Sequence, residues 1–202
     1  MPYRPNDHYA RKARKEQYNA RSVYKLEEMD KKHHLFRRGQ TVLDLGCAPG
    51  SWSQYISKRV GSSGRILGID LSAVELGLPN VVTLQADIYE ADIAALAETH
   101  NIRLPFNLIV SDMAPRTTGS KGTDKAQSAA LCEMALHLAQ TGLLRKGGDF
   151  VVKMFEGPDT QPFRKTLLEN FTKVATARPK STRKSSKEIF LLGIGYKDAA
   201  NR

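Results

Sequence analysis

Cysteine is nearly missing from this sequence: Cys47 and Cys132 stand alone. Two thiols exclude a scaffold held by several disulfides, and their separation fits no zinc-ligand spacing. Two reduced, buried thiols are expected. His33 and His34 are adjacent and cannot share one helical face, and no further ligand motif lies near them, so no metal site is predicted. Long apolar runs are missing too. None approaches the roughly 20 residues of a membrane-crossing helix, and the first residues, Met1 to Asp7, lack the apolar core of a secretory signal. A cytoplasmic protein is expected. Acids are scarce relative to bases, with 21 Asp and Glu against 31 Lys and Arg and a formal net charge of +10.

The excess of base is unevenly placed. Arg4, Arg11, Lys12, Arg14, Lys15 and Arg21 crowd the first residues, interleaved with Tyr3, Tyr9 and Tyr18, and Lys31, Lys32, Arg37 and Arg38 follow. A second cluster, Arg178, Lys180, Arg183, Lys184 and Lys187, contains no acid before Glu188. Clusters of this kind attract polyphosphate backbones in a salt-sensitive way, which points to nucleic acid over a merely solvated face.

At 202 residues the chain is long enough for one sheet-centred core. Residues 1–21 have little to bury and read as a flexible basic arm, and residues 22–202 as one domain. Ser22 is predicted to cap a helix from Val23 to about Lys32. Beyond it, apolar runs alternate with helical segments. Strands are predicted at Thr41–Leu45, Arg65–Asp70, Val81–Gln85, Phe106–Ser111 and Asp149–Lys153. Helices are predicted over 51–59, 88–99, 124–144 and 161–170. Two last strands, 173–178 and 189–196, are joined only by a basic loop. Strict alternation implies a doubly wound α/β sheet, Rossmann-like and mostly parallel, and the short polar link makes the final pair an antiparallel hairpin, giving seven strands.

Ligands of such sheets sit beyond the carboxyl ends of the strands. The first strand runs into Asp44-Leu-Gly-Cys-Ala-Pro-Gly-Ser-Trp, where Gly46 and Gly50 let backbone approach a ligand. The spacing is not the dinucleotide fingerprint, which disfavours a nicotinamide enzyme and leaves an adenosine-binding turn. Asp70 ends the second strand, where a carboxylate can accept both ribose hydroxyls, and Asp87 follows the third, near an adenine amino group. Asp112 ends the fourth, at the cofactor's reactive end. Trp52 is assigned either to a wall of this site or to core packing. Lys153 follows Phe150-Val-Val at an apolar strand end, where a lone lysine is unusual.

The motifs Arg21-Ser-Val-Tyr-Lys-Leu, Asp44-Leu-Gly-Cys-Ala-Pro-Gly-Ser-Trp-Ser-Gln, Ser111-Asp-Met-Ala-Pro, Val152-Lys-Met-Phe and Ser186-Lys-Glu-Ile-Phe resemble those of the FtsJ/RrmJ family, in the family's order and over nearly the whole chain. The resemblance implies S-adenosyl-L-methionine as cofactor and methylation of a ribose 2′-hydroxyl. It implies a uridine of large-subunit (23S) ribosomal RNA as target, in the 50S subunit, and a Lys-Asp-Lys-Glu catalytic set at Lys25, Asp112, Lys153 and Glu188. A 2′-hydroxyl is a poor nucleophile, so it must be placed in line with the methyl carbon and relieved of its proton. Lys153 would act either as the base, helped by burial and by the Lys25 cation, or as a charged stabiliser of the developing oxyanion. Arg11, Lys12, Arg14, Lys15 and Arg21, with Arg37 and Arg38, are expected to contact RNA phosphates. The polar, glycine-containing segment 116–125 is expected to form a mobile loop over the target nucleotide. A monomer is the default. The rival readings are an RNA-binding assembly factor without activity, a 2′-O-methyltransferase of another RNA such as tRNA, and an oxidoreductase on the same fold.

Overall fold

The computed structural model describes residues 8–183 and 185–197. Of the positions singled out in the sequence, Tyr3, Arg4 and Lys184 lie outside the described residues. Seven strands form one sheet: β1 (Thr41–Leu45), β2 (Arg65–Asp70), β3 (Val81–Gln85), β4 (Phe106–Ser111), β5 (Leu144–Phe155), β6 (Phe171–Ala177) and β7 (Glu188–Tyr196). Their order is β3-β2-β1-β4-β5-β7-β6. The first five run parallel, while β7 is antiparallel to both β5 and β6. The doubly wound sheet with a terminal hairpin is therefore observed, with the last strand inserted between β5 and β6.

Central strands covered on both faces need apolar residues at every position. In β1, Val42, Leu43 and Leu45 are fully enclosed, and so is Asp44. One face packs Leu43, Leu45, Ile109, Phe150 and Val152 with α4 (Ile93–Thr99), α5 (Lys121–Leu138) and α6 (Thr160–Asn170). The other packs Val42, Val110, Val151, Phe190 and Leu192 with α1 (His8–Lys15), α2 (Val23–His33) and α3 (Ser51–Val60).

Several boundaries differ from the sequence expectation for identifiable reasons. Helix α4 starts at Ile93 because the Asp92 carboxylate accepts from the Ala95 N–H at 2.9 Å and caps it there. Helix α5 starts at Lys121, so the second half of the 116–125 segment is helical, and Thr118 is held through N–H and hydroxyl by Asp124. The same helix gives way to a π-type turn, Ala139–Leu143, in which Gly142 takes φ +92°. Ser22 makes no side-chain cap; its hydroxyl is hydrogen-bonded to that of Ser51 at 2.9 Å.

The basic arm also differs. Residues 8–15 form α1, Ala13 is buried, and Tyr9 and Tyr18 pack against Tyr24 of α2. Two of the rings that the sequence offered to nucleic acid, Tyr9 and Tyr18, thus fasten α1 and the turn after it to the body, and the apolar pattern was too short to show it. Among the described residues no helix is long and apolar enough to cross a membrane, and no group of three or more His, Cys, Asp or Glu is arranged to hold a metal ion. Both thiols are free and buried.

Candidate active site

Four adjacent strands end in a row of ionisable residues. On the face covered by α2 and α3, each apolar residue is followed, two positions nearer the carboxyl edge of the parallel sheet, by a charged one. Val42 leads to Asp44 on β1, Val110 to Asp112 just past β4, and Val151 to Lys153 on β5. On the antiparallel β7, Phe190 is preceded by Glu188. The order β1-β4-β5-β7 sets these four side by side.

Lys153 is 7% exposed, and its ammonium lies 2.9 Å from Asp112 Oδ1 while also donating to the Asp112 carbonyl. Lys25, on the first turn of α2, reaches down to Glu188 Oε1 at 2.5 Å and lies 5.8 Å from the centre of the Phe190 ring. Phe190 is the cross-strand partner of Lys153. The row is braced from the opposite face by α5. There the Cys132 thiol donates to the Lys153 carbonyl at 3.2 Å, and the Ser128 hydroxyl accepts from the Phe155 N–H at 3.0 Å. Burial pushes the Cys132 thiol up to about 12, so it stays protonated as a donor.

Beside the row lies a cleft at the carboxyl ends of β1, β2 and β3. Gly46, Asp70, Asp87, Tyr89 and Met113 line it, over a floor that includes Ile69 and Ile88. Its lining holds two acids and no Lys or Arg. The glycines of the first turn are required by geometry. Gly46 has φ +73°, and a Cβ there would sit 2.9 Å from the Met113 amide nitrogen; Gly50 has φ +100°, and a Cβ there would meet Leu76 at 2.5 Å. The Asp70 carboxylate is fixed by the N–H groups of Ala48, at 3.0 Å, and Ser72, at 2.8 Å. Asp87 accepts from the Tyr89 N–H at 3.0 Å. Consecutive residues join the two parts: Asp112 belongs to the charged row and Met113 to the cleft wall.

The structure brings Lys25, Asp112, Lys153 and Glu188 together, and sets Gly46, Asp70 and Asp87 around the cleft. It does not bring the Trp52 side chain there. Trp52 is buried, packs on Phe190 and donates its indole N–H to the Ser22 carbonyl at 3.0 Å. Its backbone N–H, like those of Ser51 and Ser53, precedes the first helical bond of α3, from the Gln54 N–H to the Gly50 carbonyl. Any role for Trp52 toward a ligand is through that amide. Arg37 and Arg38 are exposed but precede β1, at the amino edge of the sheet, one strand length from the cleft. Arg11, Arg14 and Lys15 are exposed on α1, and Lys12 lies over the Tyr24 ring at 4.3 Å. Arg21 is partly buried, donates to the Ser181 carbonyl and stacks over Tyr9 at 5.4 Å. The turn that joins α1 to α2 is tied to the glycine turn. Asn19 donates through its side chain to the Pro49 carbonyl at 2.6 Å and through its N–H to Gln54 Oε1 at 2.9 Å.

One member of the row, Asp44, escaped the sequence reading. It is fully buried, accepts from the Ser53 hydroxyl at 2.6 Å through Oδ2, and leaves Oδ1 without a hydrogen-bond partner. Burial raises its carboxyl to about 7, and the nearby Asp112 and Asp70 add to the effect. The signal was present as an acid inside the apolar run Val42-Leu-Asp-Leu.

A family model described as FtsJ-like methyltransferase matches residues 18–196. A relative from Bdellovibrio bacteriovorus named ribosomal RNA large subunit methyltransferase E is 50% identical over 197 residues, covering 98% of this chain and 100% of the relative. A relative of the same name from Oleidesulfovibrio alaskensis is 47% identical and covers 95% of this chain and 92% of its own. Among solved structures, one from Plasmodium falciparum described as a ribosomal RNA methyltransferase superposes with a TM-score of 0.79 at 30% identity, over 90% of this chain and 100% of that one.

Proposed function

Because this chain belongs to the FtsJ-like methyltransferase family, we propose that it transfers a methyl group from S-adenosyl-L-methionine to a ribose 2′-hydroxyl of large-subunit ribosomal RNA, acting as a cytoplasmic monomer on the 50S subunit. The observation that carries the reading is the Asp112–Met113 step. It sets a paired lysine directly beside a cleft whose charged lining is purely acidic.

The cleft fits the cofactor. Asp70 and Asp87 offer acceptors to ribose hydroxyls and to an adenine amino group, and Gly46 keeps the backbone low enough for a ligand to lie against Met113. The same lining disfavours a nicotinamide dinucleotide, whose pyrophosphate would meet two carboxylates and no cation. When bound, the cofactor supplies an electrophilic methyl on a sulfonium centre.

The chain's own residues do the rest. Asp112 holds the Lys153 ammonium through a carboxylate and a carbonyl, so the remaining N–H direction is fixed. From there Lys153 donates to the 2′-oxygen, aligns it with the methyl and stabilises negative charge that builds on it. Glu188 and Lys25 fix one another and close the far side of the site. The ion-paired geometry supports Lys153 as a charged donor; the hydroxyl proton passes to water as the new O–C bond forms and the S–C bond of the sulfonium breaks, so that the oxygen carries partial negative charge while Lys153 donates to it. The cations of α1, Arg11, Lys12, Arg14 and Lys15, hold the RNA backbone alongside.

The test is transfer of tritiated methyl from S-adenosylmethionine to large subunits purified from cells lacking this activity, with the product mapped to single nucleotides. Label on one ribose 2′-oxygen, absent with Lys153→Ala, is expected. Cofactor binding without label on subunits, free ribosomal RNA or tRNA would instead favour an assembly factor without activity.

A further inference from the structure

The loop between β6 and β7 is bound to α2 by three residues of one helical face. Arg21, in the turn that enters α2, donates to the Ser181 carbonyl. Lys25, four residues on, pairs with Glu188, where the loop ends. Glu28, three further, accepts from two consecutive amides of the loop, Lys180 N–H at 2.6 Å and Ser181 N–H at 2.9 Å. Positions 21, 25 and 28 fall on one stripe of a helix, so a single element sets both the start of the loop and its catalytic end. The β5 terminus supplies another tie, as the Glu156 N–H donates to the Lys187 carbonyl at 2.9 Å. Ser181 and Pro179 are buried in the joint, whereas Arg178, Lys180, Arg183 and Lys187 are exposed around it.

This is a costly way to arrange a merely solvated charge run. A carboxylate that takes two backbone N–H groups fixes a turn, and the fixed turn aims side chains. Those side chains are cations. Among the described residues, Arg178 pairs with the exposed Glu156 at 2.6 Å, while Lys180, Arg183 and Lys187 are exposed along the loop that leads into Glu188. Arg21 lies between this loop and α1, stacked over Tyr9 on one side and bonded to Ser181 on the other. The two basic segments of the sequence, joined by the Arg21–Ser181 hydrogen bond across 160 positions, therefore meet at Arg21 beside the active site.

We propose that the β6–β7 loop is an RNA-backbone clamp, in which Lys180, Arg183 and Lys187 contact phosphates next to the target ribose and Glu28 is the positioning residue that holds them in place. The proposal rests on the ribosomal RNA reading above and adds a second contact surface to α1. Each phosphate contact contributes about 0.7 to 0.9 to the steepness of the fall of log affinity with log salt. The clamp therefore predicts both an affinity loss and a shallower salt slope.

The experiment measures binding of wild type and of the triple variant Lys180→Ala/Arg183→Ala/Lys187→Ala to large subunits from cells lacking the activity, between about 50 and 200 mM salt. Affinity for S-adenosylhomocysteine is followed in parallel. The triple variant is expected to bind subunits at least roughly tenfold more weakly near 100 mM salt, with a slope shallower by about 2 to 3, and to bind S-adenosylhomocysteine as wild type does. Glu28→Ala, with every cation intact, is expected to raise KM for subunits several-fold with no change in cofactor affinity. Glu28→Gln, which keeps one acceptor, is expected to recover part of that loss. Wild-type affinity and slope in the triple variant would overturn the clamp, and wild-type KM in Glu28→Ala would overturn the positioning role. If the triple variant no longer bound S-adenosylhomocysteine, its fold would be lost, and the single variants Lys180→Ala and Arg183→Ala, both at exposed positions, would decide by the same slope. Wild-type protein that neither binds nor methylates subunits would instead remove the ribosomal reading itself.

Discussion

The Ser53 hydroxyl donates to the Asp44 carboxylate at 2.6 Å in a place where both residues are completely enclosed. Burial is the main reason that the Asp44 carboxyl rises from 3.8 to about 7. The Ser53 bond opposes the shift, and the charges of Asp112 and Asp70 reinforce it. Because the folded value lies above the unfolded one, the contribution to stability is complete below pH 3.8 and is lost as pH climbs to about 7. Over that window the unfolded chain sheds a proton that the native protein keeps. Asp44→Asn removes the titration while leaving an acceptor for Ser53. Relative to wild type, the variant should gain on the order of 2 kcal/mol between pH 5 and pH 8, read from urea midpoints without cofactor. Parallel profiles would show that Asp44 does not titrate in this range.

Lys153 separates two chemical roles. A charged donor to the 2′-oxygen can be replaced in part by another permanent cation, whereas a base cannot. Lys153→Ala should lower kcat by roughly 10²- to 10³-fold or more with S-adenosylhomocysteine affinity retained, and Lys153→Arg should keep measurably more activity than alanine. Equal inactivity of the two variants, with both folded by circular dichroism, would return Lys153 to the role of base.

Much of this site was legible in the sequence because strands declare their ends. Asp70, Asp87 and Asp112 each follow an apolar run of strand length, and a parallel sheet sends all such ends to one edge. Lys153 stood out because a lysine rarely follows Phe150-Val-Val. What stayed hidden depends on tertiary contact. Tyr9 and Ala13 are too few to announce an amphipathic helix, and α1 exists because Tyr24 is there to receive them. Trp52 at the second position of α3 suits a ligand wall and a core equally. Only the approach of α2, with the Ser22 carbonyl and Phe190, decides that its ring turns inward. Arg37 and Arg38 share the charge of α1 but not its edge of the sheet, because α2 carries the chain from one edge to the other between them. Glu28 reads as an ordinary helical acid until a loop some 150 residues away lays its amides upon it.

Gly46 is a sharper probe of the cleft than any of its acids. Its φ of +73° disfavours a side chain, and the added Cβ would lie 2.9 Å from Met113 backbone atoms that cannot swing aside. Gly46→Ala should therefore push the Asp112–Met113 segment away from β1. The expected result is a stability loss of about 1–3 kcal/mol and a loss of S-adenosylhomocysteine binding by calorimetry, larger than stability alone explains. Unchanged binding in a folded variant would place the cofactor elsewhere than between Gly46 and Met113.

Lys25 and Glu188 allow stability and activity to be pulled apart. Their side chains are 14% and 11% exposed, so the pair sits largely out of water, at 2.5 Å. Removing one partner strands the other charge: Glu188→Ala should cost roughly 3 kcal/mol, most of it from the desolvated Lys25 ammonium. Replacing both with apolar residues of similar size removes the charge and its desolvation together. Lys25→Met/Glu188→Leu should recover most of the lost stability, measured by urea denaturation, because Phe190 and the neighbouring core already provide apolar contact. Methyl transfer should remain low in the double variant, since neither the β7 end nor the α2 face then presents a charge at the site. Recovery of both stability and transfer would show that the pair is only a joint between α2 and β7. Recovery of stability alone would show that the same two charges serve the reaction.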